Sequence, residues 1–133
     1  MAADGQTQST ANADDIMNNS KEMVELLVSL GAELNTAKTL MCLHVHGSSK
    51  SSDLQKRCNL RQPDVSVAIK KLRNLEIIHI VSTSSNGRGR PSHIYDLSVP
   101  LNEALIPFRN LAAERLTDLQ KQLSRLTELS DSV

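Results

Sequence analysis

Along the chain, apolar residues recur at helical spacing in several stretches and give way once to a run of β-branched residues. The opening MAADGQTQSTANADD is small, polar and unpatterned, so residues 1–18 are expected to form a disordered tail. Asn19 stands three residues before Glu22 in the manner of a capping pair, and Met23, Leu26, Leu27 and Leu30 then repeat until Gly31, which predicts a first helix. A second helix is expected from Asn35 as cap, with Leu40, Met41, Leu43 and Val45 for apolar contact and Gly47 as the stop. Ser52 with Gln55 resembles a capping box, and Leu54 and Cys58 are one turn apart, which predicts a helix of about two turns.

The next helix follows almost at once. In RQPDVSVAIKKLRNL, Pro63 takes a first-turn position and Val65, Ala68, Ile69, Leu72 and Leu75 fall on one stripe, leaving a polar, basic opposite face. IIHIVST and HIYDL are β-prone runs separated by the turn formers SSNGRGRPS, so they predict a hairpin with a long tip. From Pro100 to Leu129 the residues Leu105, Phe108, Ala112, Leu116, Leu119, Leu123 and Leu126 make a heptad-like seam with one stutter, kinked near its start by Pro107. The expected fold is thus mainly α with a small β-hairpin, α+β in class. Its divisions are a tail over 1–18, a domain over 19–98 and a long helix over 99–133.

Composition sharpens this picture in two places. Aromatic residues are only 2% of the 133, so aliphatic side chains must fill the core, and a stacking platform for single-stranded nucleic acid is not expected. The formal net charge of zero conceals a division into −4 over residues 1–49, +6 over 50–93 and −2 over 94–133. One basic face between acidic flanks suits a polyanion. No apolar run reaches the roughly 20 residues of a membrane span, and no export signal opens the chain, so a cytoplasmic protein with reduced Cys42 and Cys58 is expected.

A short helix, a tight turn, a helix with a basic outer face and a basic hairpin make a helix-turn-helix followed by a wing. On the second of these helices, Gln62 and Ser66 can exchange hydrogen bonds with base edges, Val67 can meet a thymine methyl, and Lys70 and Lys71 suit phosphate or guanine. Arg88 and Arg90, separated by Gly89 at the hairpin tip, suit a minor groove or the backbone. Lys50, Lys56, Arg57 and Arg61 are expected to add backbone contacts and the amides at the start of the Ser52 helix to bind a phosphate, with Pro63 setting the start of the reading helix. The leucine seam from Leu105 to Leu126 exceeds what so small a core can cover, so it is expected to pair two copies. The target would then be a pseudo-palindromic duplex, with no cofactor and no bound metal.

The segments LVSLGAELNTAKTLMCLHVHG, SSDLQKRCNLRQPDVSVAIKKLRNLEII and GRGRPSHIYDLS resemble winged-helix regulators of the archaeal TrmB-like group, with relatives in the MarR and ArsR families. The resemblance covers about Leu26 to Leu97 and implies a three-helix core with a wing, and DNA binding as a dimer. It puts Gln62, Pro63, Ser66 and Lys70 on the recognition helix and Arg88 and Arg90 on the wing. The chain departs from the pattern at Val67, where many relatives carry a basic or polar residue. The extra effector domain of full-length TrmB proteins has no counterpart after the long helix.

Three other readings compete. An enzyme would need a phosphate loop, paired carboxylates or an activated nucleophile, and none is visible. A metal- or redox-responsive ArsR-like regulator would use Cys42, His44, His46 and Cys58, but two histidines two residues apart on a helix diverge, and the spacing matches no standard zinc pattern. Core cysteines and surface histidines are expected instead, with His79 and His93 decorating the hairpin and possible cross-strand neighbours. A protein-interaction module of the transcription machinery would leave Arg88 and Arg90 without a purpose.

Overall fold

The computed structural model describes residues 13–84 and 92–132. The order of elements is α1 (Ala13–Ser29), α2 (Leu34–His46), β1 (Ser49–Lys50), α3 (Ser51–Cys58), α4 (Gln62–Asn74), β2 (Ile78–Ser84), β3 (Ser92–Leu97), α5 (Leu101–Ala104) and α6 (Ile106–Asp131). The fold is mainly helical, with a small antiparallel sheet in the order β1-β3-β2. It agrees with the expected class of helices plus a hairpin.

Helix α1 is already under way at Ala13, six residues before the expected cap at Asn19, so residues 13–18 are helical rather than a tail. The remainder of the expected tail lies outside the described residues. Helix α2 starts one turn-fraction before its expected cap, with Glu33 in the extended cap position, while Asn35 sits inside and its carbonyl accepts a 2.8 Å bond from Thr39 Oγ1. Helix α3 likewise begins at Ser51, where the carboxylate of Asp53 accepts a 3.0 Å bond from the Lys50 N–H. Ser52 is not the cap.

Helices α2, α3 and α4 enclose the core. Leu40, Leu43, Leu54, Val65 and Leu72 are fully buried, joined by Leu27 from α1 and by Ile77 and Ile78 at the entrance to β2. Each such aliphatic side chain contributes roughly 1.5–3 kcal/mol by leaving water, which is what holds α4 in a fixed attitude. Leu75 departs from the expected stripe: it follows the last helical turn and is 40% exposed.

Sharp chain reversals join these helices. Asn59 closes α3 in the left-handed region at φ 54°, and the Leu60 N–H returns to the Gln55 carbonyl at 3.0 Å. Glu76 adopts φ 62° after α4, while the Ile77 N–H bonds the Leu72 carbonyl at 3.0 Å. Left-handed backbone suits asparagine and strains glutamate.

The last third differs from one continuous kinked helix. The chain makes a short α5, turns at Leu105, and starts α6 with Pro107 in its first turn, where a missing N–H costs nothing. Proline therefore starts this helix instead of bending it. Phe108 is buried, and Leu105 packs against the same core.

Candidate nucleic-acid interface

Helix α4 has two chemically distinct sides. Val65, Ala68, Ile69 and Leu72 face the body, and Arg61, Gln62, Pro63, Ser66, Val67, Lys70, Arg73 and Asn74 are exposed. The 3.6-residue period produces this division, because Ser66, Lys70 and Arg73 are spaced by one turn each along the outer side. Gln62 Nε2 donates to Ser66 Oγ at 3.1 Å, so two hydrogen-bonding side chains are held side by side at the amino end of the helix.

Beside them runs a polar channel of about 570 Å³, bounded by Ser51 at the start of α3, by Gln62, Ser66, Lys70 and Arg73 of α4, and by Tyr95 of β3. The sheet is what brings Tyr95 to this place. Strand β1 pairs with β3, setting Ser49 opposite Tyr95 and Lys50 opposite Ile94, so the start of α3 is fastened to the hairpin. Buried Ser49 strengthens that corner: its hydroxyl accepts from Arg57 Nη1 at 2.9 Å and donates to the Gly47 carbonyl at 2.9 Å.

The positions expected from the sequence divide into three groups. Arg61, Gln62, Pro63, Ser66, Val67 and Lys70 share one exposed face of α4 and its cap, with Ser52 and Lys56 exposed on neighbouring α3. Lys71 differs from its neighbour: its ammonium is ion-paired with Glu33 at the start of α2, on the side of α4 away from Ser66 and Lys70. Arg88 and Arg90 lie outside the described residues. Arg73 and Tyr95 were missed; Arg73 was legible as the position seven residues after Ser66, whereas Tyr95 enters through strand pairing that no local pattern encodes.

The hairpin is real but irregular. His79 is opposite Asp96, and Thr83 is opposite His93, with a bulge between Ile80 and Ser82. His79 and His93 therefore do not face each other. His79 Nδ1 is 2.9 Å from Ser98 Oγ, and His93 Nδ1 is 3.1 Å from Thr83 Oγ1. The His93 and Tyr95 rings meet edge to face at 6.1 Å.

Two solved structures share this arrangement. One is described as a transcriptional regulator, with TM-score 0.53 and 17% identity over 90% of this chain and 78% of that one. The other is a MarR family regulator from Neisseria meningitidis, with TM-score 0.50 and 17% identity over 92% of this chain and 96% of that one. The chain has the winged-helix fold of MarR-type regulators. In winged-helix terms, α3 and α4 are the helix-turn-helix, β2 and β3 are the wing strands, and α6 is the long terminal helix. The sequence matches no protein-family model, and no curated protein matches it significantly.

The terminal helix presents a contrast within the winged-helix unit. Phe108 lies in the core of its own domain, and Leu105, partly buried, packs against that core. Ala112 is half-buried, and Leu116, Leu119, Leu123 and Leu126 are all more than half exposed. Elsewhere, no described helix is long and apolar enough to cross a membrane. Among the described residues, no group of three or more His, Cys, Asp or Glu side chains is placed to hold a metal ion.

Proposed function

We propose that the protein is a sequence-specific transcription regulator that binds double-stranded DNA as a homodimer. The observation that carries this reading is the outer face of α4, where Gln62, Ser66, Lys70 and Arg73 stand exposed in line while the opposite side is locked into the core. A helix of that width fits a major groove, its amide and hydroxyl groups can read base edges, and its cations can neutralise phosphates. Arg88 and Arg90 are assigned to the wing on composition, reaching a minor groove or the backbone.

Leu116, Leu119, Leu123 and Leu126 support the dimer, because a row of leucines 55–65% exposed in one copy is what a helical pairing would cover. A two-fold axis would then set two reading helices on half-sites about one helical turn apart, or a multiple of it, on a pseudo-palindrome. The resemblance of RQPDVSVAIKKL and GRGRPSHIY to archaeal TrmB-like regulators supports the same assignment.

Fluorescence anisotropy on the DNA upstream of the protein's own gene, and on scrambled DNA of equal length, tests the proposal. Tighter binding to the upstream DNA is expected. With about three phosphate contacts per subunit, affinity should fall on the order of a thousandfold between 50 and 200 mM salt. Absence of binding to either DNA by an intact dimer would overturn it.

A further inference from the structure

Arg57 stands apart from the other cations of the helix-turn-helix. It lies in the last turn of α3 and borders a cavity between α1, α2 and α3, beside Val24, Lys38 and His46. Among the described residues, that cavity shares none with the channel along the outer face of α4. The guanidinium is turned into the protein: Nη1 donates to the Ser49 hydroxyl at 2.9 Å, reaching back along α3 to the residue just before Lys50. Ser49 is buried, so this charged hydrogen bond is shielded from water, and the hydroxyl donates in turn to the Gly47 carbonyl at 2.9 Å.

Ser49 is also the residue set directly opposite Tyr95 across β1 and β3. Opposed residues of an antiparallel pair put their side chains on one face, with Cβ atoms about 5 Å apart. Whatever fixes Ser49 therefore fixes the neighbour of the Tyr95 ring. Strand β1 has two residues, shorter than an ordinary strand, so its pairing with β3 depends on side chains at its ends. One such tie is the Arg57–Ser49 bond, and a second runs from Ser48 Oγ to the Asp96 carboxylate at 2.8 Å. Tyr95 stands between them, steadied from its own strand by the His93 ring, and borders the channel with Gln62, Ser66 and Lys70.

We propose that Arg57 is a positioning residue for DNA recognition, not a phosphate contact, and that through Ser49 it holds Tyr95 at the channel as a further contact to the DNA. The Tyr95 hydroxyl is neutral, so its hydrogen bond to the duplex adds to affinity without displacing a counterion. This assignment rests on the regulator reading proposed above. It separates two roles that sequence treats alike, because a cation that binds phosphate and a cation that holds a strand in register both lower affinity when removed.

The test uses the full-length protein. Tyr95 is the only tyrosine and the chain has no tryptophan, so near-ultraviolet emission reports this one ring without any DNA present. Acrylamide quenching of that emission should rise in Arg57→Ala and in Ser49→Ala, whereas Arg57→Lys, which keeps a charged donor, should stay near the parent protein. On DNA, Arg57→Ala should cut the preference for upstream over scrambled DNA about tenfold, the worth of one hydrogen bond to a charged group, with the salt slope unchanged. Tyr95→Phe should lower upstream-DNA affinity with its slope unchanged as well. Because Arg57 acts through Ser49, the double alanine variant should lose no more than the larger single loss. Should Arg57→Ala fail to fold, Ser49→Ala carries the same readings with the removal of one hydroxyl. A salt slope lowered by about one in Arg57→Ala, with the preference for upstream DNA kept, would make Arg57 a phosphate contact and overturn the proposal. Parent-like quenching in both alanine variants would overturn the link to Tyr95. Failure of the parent protein to bind any DNA would overturn the regulator reading, while quenching still decides whether Arg57 positions Tyr95.

Discussion

Gln62 and Ser66 are joined on the exposed side of α4 by a 3.1 Å hydrogen bond from the amide to the hydroxyl. The pair is held in one rotameric arrangement before any partner arrives, which lowers the ordering cost of using both groups together. Replacing Gln62 or Ser66 by alanine should therefore relax sequence preference by about 1–3 kcal/mol per affected base pair, with little effect on binding to scrambled DNA. Competition anisotropy with single-base variants of the preferred site checks this. For Ser66, an equal loss on specific and scrambled DNA would sink its role as a base reader.

Neighbouring lysines should behave differently. Lys70 is exposed on the outer face of α4, so Lys70→Ala should weaken binding to all DNA and reduce the salt slope by about one. Lys71 is engaged with Glu33, and Lys71→Ala should leave the slope unchanged while costing stability less than about 1 kcal/mol, as solvent-exposed ion pairs do. Arg88→Ala combined with Arg90→Ala should resemble Lys70→Ala, with a larger change in slope. Binding measured over a salt series separates the three outcomes.

Along the terminal leucine row, core and contact surface should separate cleanly. Leu116→Glu with Leu123→Glu changes positions that are 57% and 64% exposed, so the helical circular dichroism should persist while sedimentation velocity reports monomers. Phe108→Ala removes a buried ring and should cost about 3–5 kcal/mol of stability. Dimers surviving the double glutamate change would remove α6 as the pairing surface.

Glu76 offers a test of backbone strain. At φ 62° a side chain crowds its own carbonyl, so Glu76→Gly should stabilise the domain by about 1 kcal/mol despite the greater freedom of glycine when unfolded. Urea denaturation gives the sign directly. A loss of stability would mean that the turn after α4 is not strained.

The helix-turn-helix was legible because local and tertiary requirements coincide there. Pro63 sets a first turn, and Val65, Ala68, Ile69 and Leu72 repeat at the helical period against one core. The same period does not tell what Leu105 and Phe108 pack against, since a heptad row looks the same whether its partner is the parent domain or a second chain. Lys71 could not be separated from Lys70 by adjacency, because its direction depends on Glu33, thirty-eight residues earlier. Strand β1 has two residues, too few for any alternation, and yet it fastens α3 to the hairpin.

The bulge at Val81 makes the wing a matter of counting. Ile78 and Ile80 lie opposite Leu97 and Tyr95, but past the extra residue it is Thr83, not Ser82, that lies opposite His93. One residue has changed which parity of β2 belongs to which face, so the outer hairpin presents odd-numbered side chains where the inner hairpin presents even ones. Removing that residue would leave the composition of the wing nearly untouched and exchange the two faces of its outer half. Length in β2 is thus under stricter constraint than chemistry: substitutions there change a surface, whereas an indel changes which surface is offered.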